Sequence, residues 1–122
     1  MSNLLILPLV QIVGTTGTNE DWLDGLAFFE DDAETMPINI LGIEFAMQMR
    51  QITEDATVAL EASQADGRII VTGNYLYFDV PAAQMSTITP ADYVFDVVGT
   101  DNKNSRIIVQ GQYTVFEGVT RK

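Results

Sequence analysis

The feature that most constrains this chain is a series of short segments in which apolar and polar residues alternate, each closed by glycine, asparagine, aspartate or proline. A period of two is what a strand with one buried and one wet face requires, and it denies a helix any continuous apolar stripe. In Ile43-Glu-Phe-Ala-Met-Gln-Met-Arg50, the residues Ile43, Phe45, Met47 and Met49 share one face while Glu44, Gln48 and Arg50 share the other. Residues 57–62 repeat the pattern with Val58 and Leu60 inward. Tyr75-Leu-Tyr-Phe-Asp-Val80 places Leu76, Phe78 and Val80 on one face and Tyr75, Tyr77 and Asp79 on the other. Residues 106–119 predict a long last strand with a bulge at Gly111.

The stretches between these strands fill in the rest. Residues 4–13 predict a first strand, either a single edge strand or two short pieces flanking Pro8, which has no amide hydrogen to give a ladder. Residues 14–21 read as a loop, and residues 22–30 as a second strand with a bulge at Gly25. An acidic turn at 31–37 leads through 38–42 into the strand at Ile43. Asp66-Gly67 and Gly73-Asn74 each predict a hairpin. Residues 81–90 read as a crossing loop holding one helical turn, anchored by Met85 and Ile88, followed by a strand at 91–98 and a turn at 101–104. The sum is about seven to eight strands joined mostly by hairpins, hence an all-β antiparallel sandwich occupying 1–122 as one domain.

Composition narrows the chemistry. The chain has no histidine and no cysteine, which removes the usual general base near neutral pH, the commonest metal ligand, and every thiolate or disulfide. Seventeen acidic residues against six basic ones give a net charge of −11, which repels phosphate backbones and anionic membrane surfaces. Neither nucleic acid nor membrane insertion is therefore expected. Residues 4–13 are apolar, but they lack a basic leader and are too short to span a bilayer, so they read as a strand and not a signal peptide.

The residues that could carry chemistry have plainer explanations. Asp31, Asp32 and Glu34, or Glu20, Asp21 and Asp24, supply carboxylate oxygens without the spacing of a calcium loop, and a solvated acidic turn accounts for them. Gly14-Thr-Thr-Gly-Thr18 lacks the lysine and following helix of a phosphate-binding loop. Trp22, Tyr75 and Tyr77 would make an aromatic platform for a sugar if exposed together; otherwise the tryptophan covers the core. Arg50 and Arg106 could pair with carboxylates across an interface or with Asp79 or Asp96 inside the domain, and the second is favoured. No cofactor, metal or catalytic residue is expected.

Segments across nearly the whole chain resemble a family of small virion proteins of tailed bacteriophages and prophages. They are Asp21-Trp22, Pro37-Ile-Asn-Ile-Leu-Gly42, Phe45-Ala-Met-Gln-Met-Arg50, Asp92-Tyr-Val-Phe-Asp96 and residues 106–121. The pattern is also similar to the immunoglobulin-like N-terminal domain of phage baseplate upper proteins. The resemblance implies an immunoglobulin-like sandwich and a non-enzymatic tail or baseplate assembly module. Such a module would be made in the bacterial cytoplasm and then built into the virion, with other phage structural proteins or copies of itself as partners. Edge pairing and sheet-face packing would join them. The segment expected to dock is the apolar one, residues 4–13, through Leu4, Leu5, Ile6, Leu7, Leu9, Val10 and Ile12. The alternative is a host-surface glycan-binding module using Trp22, Tyr75 and Tyr77.

Overall fold

The structure, a computed structural model, describes residues 3–31, 33–52 and 54–119, with the backbone alone at 54–57. Asp32 of the acidic turn and the last residues of the 106–121 segment lie outside the described residues. In chain order the strands are β1 (Val10–Gly17), β2 (Gly25–Ala27), β3 (Glu44–Gln51), β4 (Glu54–Ser63), β5 (Ile69–Thr72), β6 (Tyr75–Phe78), β7 (Ala91–Thr100) and β8 (Ser105–Phe116). A 3-10 turn, Leu4–Ile6, precedes β1, and a helical turn, α1 (Ala82–Met85), joins β6 to β7. A five-stranded sheet in the order β1-β8-β7-β3-β4 packs on a three-stranded sheet in the order β2-β6-β5. The chain is thus an immunoglobulin-like β-sandwich, with eight strands among the described residues. It is antiparallel throughout except where β1 runs parallel to β8.

Alternation builds the interior as the period-two rule requires. Phe45, Met47 and Met49 of β3 are buried while Glu44, Ala46 and Gln48 are exposed. Leu76 and Phe78 of β6 enter the same core, as do Tyr93, Phe95 and Val97 of β7 and Tyr113 and Val115 of β8. Between the sheets Trp22 stacks on Phe78 at 4.4 Å and meets Phe95 and Tyr113 edge-on at 5.8 and 5.2 Å. Such pairs contribute about 0.5–1.5 kcal/mol each beyond simple burial, so this cluster fastens one sheet to the other. Met85 and Ile88 anchor the crossing loop, as expected.

Several local expectations give way to tertiary contacts. The apolar run at 4–13 divides at Pro8, and its first part is the 3-10 turn, which carries Leu4 and Leu7 into the core. Residues 14–17 are not loop but the end of β1. The segment 22–30 pairs at Gly25–Ala27 and at the isolated Trp22–Val80 and Phe29–Pro37 bridges, with Gly25 in register opposite Tyr77 and no bulge. Ile38 and Ile40 are buried alternately, but their amides donate to the carbonyls of Phe28 and Gly73, so 38–42 is a loop anchored by these two side chains.

Asp66-Gly67 does make a tight turn, with the Asp66 carboxylate accepting from the Ser63 and Arg68 amides at 3.0 and 2.8 Å. Yet β4 and β5 lie in different sheets, so the turn carries the chain across the sandwich and not back along a hairpin. Gly73, at φ +61°, does close the β5–β6 hairpin, at the first central position of a two-residue turn. In β8 the extra residue is Ile108, since Val97 faces Val109 and Val98 faces Ile107. Gly111 is in register opposite Phe95, whose ring would sit 2.2 Å from a Cβ there. That glycine makes room for a ring; it does not mark a bulge.

Candidate functional site

The site that emerges is the free edge of β1. Its register with β8 is unbroken from Val10↔Val109 to Gly17↔Phe116. Just beyond it the Thr18 amide donates to the Phe116 carbonyl at 3.0 Å. Along an extended strand successive residues aim their N–H and C=O groups to opposite sides. Thr18 therefore sets Val10, Ile12, Gly14 and Thr16 toward β8, and leaves the amides and carbonyls of Gln11, Val13 and Thr15 on the outer edge. At the next such residue, Gly17, the amide donates to the Glu20 carboxylate at 2.8 Å, which closes the edge at that end. At the other end the regular pairing of β1 begins at Val10, two residues after Pro8.

Side chains follow the same parity. Gln11, Val13 and Thr15 are exposed on the outer face of the large sheet, Val13 to 82 %. Ile12 is half-buried against the core, and Gly14 lies under the Tyr113 ring. The Phe116 ring, half-exposed, lies over Gly17, so the outer rim carries three apolar side chains in a row: Leu9, Val13 and Phe116. Beside them β8 contributes Gln110, Gln112 and Thr114, so apart from Glu20 at its end this rim bears no charge. Further in, a polar row crosses the whole sheet, from Gln11 through Gln110, Asp96 and Gln48 to Glu61. Gln48 donates to Glu61 at 3.2 Å and accepts from Arg50 at 2.9 Å. A shallow groove of about 680 Å³ runs over this row.

The apolar residues expected to dock are divided by the fold. Leu4 and Leu7 are buried in the protein's own core and Val10 and Ile12 are packed against it, leaving Leu5, Ile6 and Leu9 outside. The Arg106 guanidinium donates to the Leu4 and Leu5 carbonyls at 3.1 and 2.9 Å, so it fastens the 3-10 turn and does not serve Asp79 or Asp96. Leu5, Ile6 and Leu41 line a second groove, of about 760 Å³, beside the Asp101–Asn104 turn. Val13 lies at the end of the expected segment 4–13, whereas Phe116 is not singled out by the sequence. Strict alternation from Leu9 through Gln11 is the signal that sets Val13 on the outer face.

The aromatic platform does not assemble. Trp22 is buried, its indole N–H donating to Asp24 at 3.1 Å, while Tyr75 and Tyr77 stand exposed on the small sheet. Carboxylates outside the sheet rows serve the scaffold. Asp24 also accepts from the Tyr113 hydroxyl, and burial first, then this hydrogen bond, pushes the phenol above its ordinary value. Asp21 accepts from the Ala82 amide at 2.7 Å at the start of α1. Asp31 accepts from the Thr35 hydroxyl and from the Met36 and Thr35 amides, and the Thr35 hydroxyl above all holds its carboxyl below the usual range. Among the described residues no group of three or more carboxylates is placed to hold a metal, and no helix is long and apolar enough to cross a membrane.

No family model matches the chain, and no curated protein is significantly similar to it. Among solved structures it is similar to one titled "The crystal structure of CopC from Methylosinus trichosporium OB3b". The identity is 10 %, the TM-score is 0.44, and the match covers 94 % of this chain and 90 % of that one.

Proposed function

We propose that this chain is a non-enzymatic assembly module of a tailed-phage or prophage particle, joined to its neighbours by the free edge of β1 and the adjoining outer face of the large sheet. The observation that carries the reading is that edge: Gln11, Val13 and Thr15 present unpaired backbone groups beside exposed Leu9 and Val13, with no charge or proline inside the strand to protect it. An unprotected edge is a template for another strand, and main-chain hydrogen bonds supply the affinity. The particle is assigned by the resemblance of segments 37–42, 45–50 and 92–96. The partners in this reading are other structural proteins of the particle or further copies of the chain, met after synthesis in the bacterial cytoplasm. The net charge of −11 argues against a nucleic-acid partner.

The test is an immunoblot of particles purified by density gradient after induction of the strain that carries the gene. The chain is expected in the particle band in constant proportion to the major structural proteins. Its absence from every particle fraction would overturn the reading. Deleting residues 1–13 is not a clean test of the edge, because it removes Leu4 and Leu7 from the core.

A further inference from the structure

We infer that the partner at the β1 edge is a second copy of the chain, paired antiparallel about a two-fold axis through Val13. This rests on the reading of that edge as an assembly surface and goes beyond it in naming occupant and register. The free run is bounded by the start of regular pairing at Val10 on one side and by the Glu20-capped Gly17 on the other. Its outward-facing residues are Gln11, Val13 and Thr15, so a two-fold axis through Val13 uses the whole run. Val13 then exchanges N–H and C=O with its own counterpart, and Gln11 does so with Thr15 of the second copy. This is the hydrogen-bonded pairing of an antiparallel ladder, and the residues it needs are the ones whose backbone groups face outward.

The side chains fit the same register. Val13 meets Val13 on the outer face, at the centre. Leu9 falls opposite Gly17 of the second copy, where there is no side chain and the Phe116 ring lies over the gap. The exposed apolar groups of each rim, Leu9, Val13 and Phe116, thus cover one another. Electrostatics favour a copy at this edge over the opposite one. In a chain of net charge −11 the rim formed by Gln11, Val13, Thr15, Gln110, Gln112 and Thr114 is neutral, whereas β4 at the opposite edge carries Glu54, Asp55 and Glu61. A two-fold axis makes such a patch self-complementary and closes the assembly at a dimer.

The chain has no cysteine, so a single introduced one reports its own neighbour. Across the proposed axis the Val13 Cα atoms are about 5.5 Å apart, inside the roughly 4.4–6.8 Å that a disulfide spans. Two Gln11 residues would stand about 14 Å apart along the strands. Under mild oxidation Val13→Cys is expected to form a disulfide dimer, Gln11→Cys alone to form none, and a mixture of Gln11→Cys and Thr15→Cys to form the mixed dimer. By sedimentation velocity the unmodified protein is expected to double in mass with rising concentration, and Val13→Lys and Leu9→Lys to stay monomeric. Val13 is exposed, so Val13→Lys leaves the core intact, and its circular dichroism should match the parent's. A monomer at every concentration, or Gln11→Cys cross-linking as fast as Val13→Cys, would overturn the proposal. A monomer that is still found in purified particles rejects the self-pairing alone. A dimer absent from particles rejects the particle alone.

Discussion

The two edges of the large sheet are built in opposite ways. β4, at one edge, carries Glu54, Asp55 and Glu61, and its pairing with β3 loses register between Met49 and Gln51. Charge and irregularity of that kind are how sheets discourage a further strand. β1, at the other edge, is regular along its full length, uncharged, and capped at its far end by Glu20. It is also well fastened: Tyr113 packs over Gly14, Arg106 holds the turn before it, and Leu4 and Leu7 root that turn in the core. The difference teaches that β1 is held firmly from inside and left open outside, which is how a strand that must receive a partner without being pulled loose would be made.

The sharpest way to break this comparison is a pair of prolines. Ile12→Pro removes an N–H that faces β8, and is expected to cost about 3 kcal/mol or more in chemical denaturation. Val13→Pro removes one that faces outward and is expected to cost the isolated chain much less, while abolishing its association. Equal losses would mean that the parity assigned to the strand is wrong. Next in size, Gly14→Val would press a branched side chain into the Tyr113 ring, which stands 2.9 Å from even a Cβ at that position. About 1–3 kcal/mol of overpacking is expected, read as a fall in the denaturation midpoint.

Smaller effects test the fastenings. Arg106→Ala leaves two carbonyls of the 3-10 turn without their donor and is expected to cost about 1–2 kcal/mol, with faster amide exchange at Leu7 as the local sign. If exchange there is unchanged, the guanidinium does not hold the turn. The last prediction concerns pH. The Tyr113 phenol is raised above its ordinary 10.0, chiefly by burial, so the folded protein keeps a proton that the unfolded chain releases. Its contribution to stability is complete below pH 10 and is lost progressively as pH rises from there toward the folded value. Tyr113→Phe is expected to flatten that alkaline slope; an unchanged slope would place the titration elsewhere.

Much of the fold was legible along the chain, because alternation is local. Phe45, Met47 and Met49 announce their face by spacing alone, as do Leu76 and Phe78, and the Gly73-Asn74 turn needs no tertiary information. Misreadings arose where a distant partner decided the outcome. Gly111 reads as a bulge until Phe95 is seen to fill the space above it. Asp66-Gly67 has the chemistry of a hairpin, but which sheet the next strand joins is a property of the whole sandwich. The candidate site was legible in part: the segment before Gly14 was identified, while Leu4 and Leu7 turned inward and Val13 and Phe116 took their places at the rim.

The sequence by itself determined the all-β class, the period of each strand and the poverty of acid–base and thiol chemistry, since these depend on residue types and nearest spacings. Only the tertiary structure decided that β1 lies parallel to β8 at an edge of the large sheet, that Arg106 reaches back to Leu4 and Leu5, and that Trp22 is sealed against Phe78. Each of these joins residues far apart in the chain, and such contacts become favourable only when all the strands between them have already found their places.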